Sequence, residues 1–161
     1  MQEILAIDIG ATKLAVARVT SDGVIEKQSS TPTEADNGEE LFDKLLSLSK
    51  EVLGEVEVEG CGVGSAGPMS NHGEEISPLN IPQWRNFPLR LKLSEALGLP
   101  VILDNDAKAV ALGEGWKGAA SGQQNYLAMV VSTGIGGGLV LDGRLVEGEM
   151  GNAGHIGHVN V

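Results

Sequence analysis

The chain has 161 residues and a net charge of −11, from 22 acids against 11 bases, a balance that opposes nucleic-acid binding because that needs a basic face. One cysteine, Cys61, excludes an internal disulfide framework and a zinc site built on several thiolates of these residues. A hydrophobic content of 42% argues against general disorder, and no apolar run approaches the roughly 18–20 residues that span a bilayer.

The opening segment carries Glu3 and Asp8 and no basic stretch, so a secretory signal is not expected and a cytoplasmic protein without membrane or nucleic-acid partners is. Glu3–Gly10, Lys13–Thr20 and Gly23–Ser30 read as three short strands joined by tight turns, an antiparallel meander. Leu41, Leu45, Leu48 and Val52 then recur at helical spacing and stop near Gly54. Residues 34–59 hold much of the negative charge, which a solvated helix face explains. Gly60–Ala66 reads as a buried strand ended by Gly67-Pro68, and a proline-rich loop with a lone Trp84 follows. Leu89–Leu97 is a short helix, Val101–Leu103 a strand and Asn105–Trp116 a second, alanine-rich helix. Tyr126–Val131, Gly136–Leu141 and Arg144–Val146 read as three further strands, the last two joined at Asp142-Gly143.

The order β-β-β-α-β-α-β-α describes an α/β layer over residues 1–120, a mixed sheet that is first an antiparallel meander and then parallel strands with helices. Residues 121–161 read as the first strands of a second, incomplete lobe, too few for a core of their own, and the chain reads as truncated. Apolar strand edges exposed over 125–161 would favour self-association or disorder there.

Four segments carry chemistry. In Asp8-Ile9-Gly10-Ala11-Thr12-Lys13 an acid ends a buried strand, and a glycine turn aims backbone N–H groups and a hydroxyl into one space. Phosphates need such donors and a carboxylate holds Mg²⁺ through water, although an ordinary hairpin turn uses the same residues. In Thr133-Gly134-Ile135-Gly136-Gly137-Gly138 the glycines cost chain entropy and bury little, so something must approach that backbone closely; a second phosphate cradle and a plain turn both qualify. The segment matches neither the P-loop nor the G-x-G-x-x-G pattern.

Asp104-Asn105-Asp106 stands where a parallel strand meets a helix, the edge at which α/β sheets bind ligands. Asp104 is expected to cap or support, leaving one acid to work on a substrate hydroxyl. Last, His155 and His158 stand three apart, a spacing open to a metal or to a polyhydroxylated ligand.

In order and approximate spacing, Asp8-x-Gly10-x-Thr12-Lys13, Gly64-x-x-Gly67-Pro68, Asn105-Asp106-Ala107, Thr133-Gly134-Ile135-Gly136-Gly137-Gly138 and Gly154-x-x-Gly157-His158 resemble the repressor/ORF/kinase (ROK) family. The resemblance implies an actin-like, ribonuclease-H-like ATPase fold with a sugar-and-ATP cleft between two lobes, a glucokinase-like ATP-dependent hexose kinase and a possible homodimer. It implies Asp106 as general base, with Gly67, Asn80, Asn105, His155 and His158 around the sugar. Asp8, Gly10, Thr12, Lys13, Thr133, Gly134, Gly136 and Gly137 would surround Mg-ATP.

Two departures bear on this. Where the family has Glu this chain has His155, which leaves fructose, mannose and N-acetylated amino sugars open beside glucose. The family's cysteine-rich zinc loop would follow His158, so a zinc role for His158 is expected only in a longer form, and the 161 residues alone are expected to have little activity. Family regulators carry an N-terminal helix-turn-helix; with the first strand at Glu3 and an acidic chain, a sugar-responsive regulator and a non-catalytic remnant are the lesser readings.

Overall fold

The computed structural model describes residues 2–70, 72–132 and 134–158. Alternation along the first strand, β1 (Glu3–Ile9), decides which face of the sheet is covered: Leu5, Ile7 and Ile9 point inward and are buried, while Ala6 and Asp8 point to the other face. β2 (Lys13–Thr20) pairs antiparallel with β1 and adds Leu14 and Val16 to the buried side. β3 (Ile25–Pro32) completes the meander as a mostly exposed edge, with a register irregularity opposite Arg18/Val19. It begins and ends two residues later than its sequence suggests.

Helix α1 (Gly38–Leu53) covers the buried face. Asn37 accepts from the Glu40 amide at 3.0 Å, and Glu40 accepts in return from the Asp36 amide at 2.9 Å, so both ends of this first turn are satisfied. That backbone bond and Lys44 hold the Glu40 carboxyl below its ordinary value. Leu41, Leu45 and Val52 are fully buried against the sheet, each contributing on the order of 1.5–3 kcal/mol of apolar burial.

β4 (Cys61–Ser65) lies parallel to β1, and β7 (Val101–Asn105) lies parallel to β4, giving the sheet order β3-β2-β1-β4-β7. Burial pushes the Cys61 thiol up to about 12, so it acts as a small apolar group. Between β4 and β7 run a small hairpin of two-residue strands, β5 (Met69–Ser70) and β6 (Glu75–Ile76), and helix α2 (Leu89–Leu97). The proline-rich loop before α2 is packed. Trp84 is fully buried, stacks on Phe87 with ring centroids 5.0 Å apart and donates from Nε1 to the Gly38 carbonyl at 2.9 Å.

Helix α3 (Asp106–Lys117) follows β7 directly. Behind it stands a separate antiparallel sheet of β8 (Tyr126–Val131), β9 (Ile135–Leu141) and β10 (Arg144–Leu145), ordered β10-β9-β8. The glycine run lies inside β9, where Gly136, Gly137 and Gly138 face Val130, Met129 and Ala128. A Cβ on Gly136 would stand 3.0 Å from Ala107, and one on Gly138 would press on Ala111 and the Ala107 carbonyl. These two glycines let β9 approach the first turns of α3. Leu127, Met129, Val131 and Ile135 remain exposed. A short 3₁₀ turn, Ile156–His158, ends the described chain.

Candidate functional site at the carboxyl edge of the parallel strands

The sheet register assembles the site. Across β1, β4 and β7, Asp8, Gly64 and Asp104 stand in one row and Ile9, Ser65 and Asn105 in the next. These rows form the carboxyl ends of three adjacent parallel strands, the edge where open α/β sheets take ligands. Gly64, between the two acids, lies under the start of α3: a Cβ there would be in ordinary contact with the Asp106 Cα at 3.6 Å and Ala109 at 3.7 Å.

Asp8 and Asp106 share this space. The Asp8 carboxyl lies above its ordinary value chiefly because the crevice desolvates it, next because Asp106 repels its charge, while Lys13 draws it back. Asp106 is the first residue of α3. Its Oδ1 accepts from the Ala107 amide at 2.8 Å, and the helix N-terminus favours negative charge there. Its Oδ2 has no protein partner among the described residues.

Asp104 is turned away from this role. Its Oδ1 accepts from the Asn105 amide at 2.7 Å and from Lys108 Nζ at 3.1 Å. Asn105 caps α3 through Oδ1, which accepts from the Ala107 amide at 3.0 Å, and its Nδ2 is left to donate.

The Gly10 turn is tight: its amide donates to the Lys13 carbonyl at 3.0 Å, and a Cβ on Gly10 would fall 2.8 Å from that oxygen. Thr33 braces it, with Oγ1 donating to the Gly10 carbonyl at 2.9 Å and its amide to the Thr12 carbonyl at 3.1 Å. Thr12 and Lys13 stand exposed. On the other side, His155 Nδ1 lies 2.8 Å from the Asn152 carbonyl. A carbonyl only accepts, so Nδ1 carries the proton, and in that tautomer Nε2 is an acceptor. A Cβ on Gly67 would come 3.4 Å from that Nε2 and 3.9 Å from Asn105 Nδ2. Glycine thus keeps open a gap flanked by one donor and one acceptor.

The other expected site residues are placed less tightly. His158 is exposed, its ring centroid 6.3 Å from that of His155 and tilted by 44°. Asn80 is exposed in the turn closed by the Ile81 amide on the Pro78 carbonyl and makes no side-chain hydrogen bond among the described residues. Gly134 lies in the turn before β9, where its carbonyl accepts from the Ser132 amide, whereas Gly136 and Gly137 sit in the strand. Gly136 is packed on Ala107 and Gly137 under Ile156. Thr133 lies outside the described residues. Among those residues no group of three or more His, Cys, Asp or Glu side chains could hold a metal ion. No helix among them is long and apolar enough to cross a membrane.

Three contributors escape a motif reading. Thr33 steadies the Gly10 turn. Asn152 fixes His155 and donates from Nδ2 to the Met69 carbonyl at 3.0 Å. Lys108 is only 1% exposed and donates to the Gly151 carbonyl at 2.7 Å. A lysine in the first turn of a helix opposes the helix dipole, and that was the available signal.

Known proteins resemble this chain in sequence and in fold. A glucokinase of Halalkalibacterium halodurans is 38% identical over 98% of this chain and 49% of its own length. An N-acetylmannosamine kinase of Citrobacter koseri is 39% identical over 96% of this chain and 53% of its own. The crystal structure of a ROK family glucokinase from Streptomyces griseus in complex with glucose and AMPPNP superposes with a TM-score of 0.89 at 32% identity, covering 99% of this chain and 51% of that one. The chain therefore spans about half the length of the curated relatives it matches. The ROK family model matches residues 4–161. With that match over nearly its whole length, and with the actin-like kinase fold of its structural relatives, the chain belongs to the ROK family.

Proposed function

We propose that the protein of which these residues form the described part transfers the γ-phosphoryl group of ATP to a hydroxyl of a hexose, with glucose the first substrate. One observation carries the reading. At the carboxyl edge of the parallel strands Asp106 stands near enough to Asp8 for its charge to raise the Asp8 carboxyl, and Gly67 leaves a gap between Asn105 Nδ2 and His155 Nε2.

Asp106 is the general base. Its carboxylate takes the proton from the attacking sugar hydroxyl as the new oxygen–phosphorus bond forms and the bond to the β-phosphate oxygen breaks, releasing ADP. Asn105 donates to a neighbouring sugar hydroxyl, and His155 accepts from one. Gly67, Asn80 and His158 complete the sugar side. Gly10, Thr12, Lys13 and Gly134 are assigned to the phosphate side; Thr133, Gly136 and Gly137 are assigned there from the sequence motif alone. The crevice suits a divalent cation, since two carboxylates repel across it and Lys13 alone relieves Asp8. Asp8 would hold magnesium through water, and such an ion would supply positive charge against the phosphate oxygens.

His155 favours one second reading. An imidazole acceptor takes one hydroxyl where a carboxylate takes two, and the relative from Citrobacter koseri is named for an N-acetylated amino sugar. Incubation with ATP, magnesium and a panel of glucose, mannose, fructose, N-acetylmannosamine and N-acetylglucosamine, read by mass spectrometry, tests both. A sugar monophosphate with equimolar ADP is expected, glucose first. Sugar binding without turnover for any member would instead favour a regulator or a binding remnant.

A further inference from the structure

The ammonium of Lys108 is the only lysine head group in the described residues that is fully buried. It stands two residues after the proposed base, at a helix start where positive charge is unfavourable. Burying it is tolerable only through its two partners, Asp104 Oδ1 at 3.1 Å on β7 and the Gly151 carbonyl at 2.7 Å, 43 residues away in sequence.

What Lys108 holds is the peptide beside Asn152. Gly151 is buried with φ of +78°, and it packs so closely on His72 that a Cβ would come within 3.1 Å of that ring. The next residue anchors the segment twice: Asn152 Nδ2 donates to the Met69 carbonyl, and its own carbonyl accepts from His155 Nδ1. A continuous polar chain therefore runs from Asp104 through Lys108, Gly151 and Asn152 to His155. Asp104 Oδ1 also receives the Asn105 amide, so the same lysine touches the support of both polar flanks of the Gly67 gap.

We infer that Lys108 is a positioning residue that sets the orientation and tautomer of His155, and through it the affinity for sugar. It touches no substrate itself. The kinetic part rests on the kinase reading above; the tautomer part does not.

The experiment uses the full chain and two variants, Lys108→Met, of similar length without the charge, and Asp104→Asn, which keeps an acceptor for Lys108. In wild type, nitrogen NMR of ¹⁵N-histidine-labelled protein should show His155 protonated at Nδ1. In Lys108→Met that signature should be lost, and the sugar KM should rise about tenfold or more while the ATP KM stays within about threefold. In a His155→Ala background the effect of Lys108→Met on the sugar KM should shrink to within about twofold, because the two residues act in one chain. Should Lys108→Met not fold, Asp104→Asn carries both readouts, with a smaller shift of the same kind.

An unchanged His155 tautomer in the folded variant overturns the inference. So does an equal rise in both KM values, or an undiminished effect without His155. If wild type phosphorylates no sugar, the kinase reading fails while the tautomer measurement still decides the role of Lys108.

Discussion

Helices α1 and α3 both begin with an asparagine cap, and beyond that they are built on opposite principles. α1 is held by hydrocarbon: Leu41, Leu45 and Val52 are sealed against the sheet, and its acidic residues face solvent. α3 buries only Ala107, Lys108 and Ala111, and it is fixed by close-packed glycines on β9 and the Asp104–Lys108–Gly151 chain of polar contacts. A helix that only stabilises can rest on its apolar face. A helix that presents a carboxylate at its first residue must expose that end, and small residues and polar tethers replace the buried leucines.

Substitutions at matched places sharpen this contrast. The largest effect is expected at Asp106: Asp106→Asn should lower the rate of phosphoryl transfer by about 10²–10⁴-fold, with sugar affinity and thermal stability nearly unchanged, as read by steady-state kinetics and calorimetry. In α1 the order reverses. Leu45→Ala should cost about 2–5 kcal/mol in a denaturant titration, while any activity that survives in the folded fraction keeps its KM values. Smallest is Asn37→Ala, which removes the cap of α1 and should cost about 1 kcal/mol without touching the site. A large kinetic effect from Leu45→Ala in folded protein, or a large stability loss from Asp106→Asn, would dissolve the distinction between the two helices.

The contrast also explains what could be read in advance. The meander, α1 and the parallel strands follow from periods of two and of 3.6 in apolar residues, because burial leaves a direct trace in the sequence. Asp106 and Asn105 were legible because a strand–helix junction has a fixed position at the sheet edge. The glycines at 136–138 read both as the start of a strand and as part of a phosphate cradle or a plain turn, and the structure has them within β9, two of them against α3. A glycine demanded by a close helix and one demanded by a ligand look alike until the neighbour is known. Lys108 and Asn152 were silent for a related reason. Their partners are backbone carbonyls of residues distant in sequence, Gly151 and Met69, and a carbonyl has no side-chain signature.

Asp8 provides a test of the crevice that needs no substrate. Because its folded carboxyl lies above the ordinary value of 3.8, the folded state binds the extra proton between the two values. Stability should therefore fall as pH rises through that window, and Asp8→Asn should remove that slope and leave the protein more stable than wild type above it.

The central claim is that Asp8 and Asp106 face one ligand crevice, and carbon NMR titration of the Asp8 carboxyl measures it most directly, in wild type and in Asp106→Asn. The Asp8 carboxyl should titrate above 3.8 in wild type and move part of the way back when the Asp106 charge is removed. An Asp8 titration that is ordinary in wild type, or indifferent to the charge at Asp106, would contradict the shared crevice and the catalytic reading built on it.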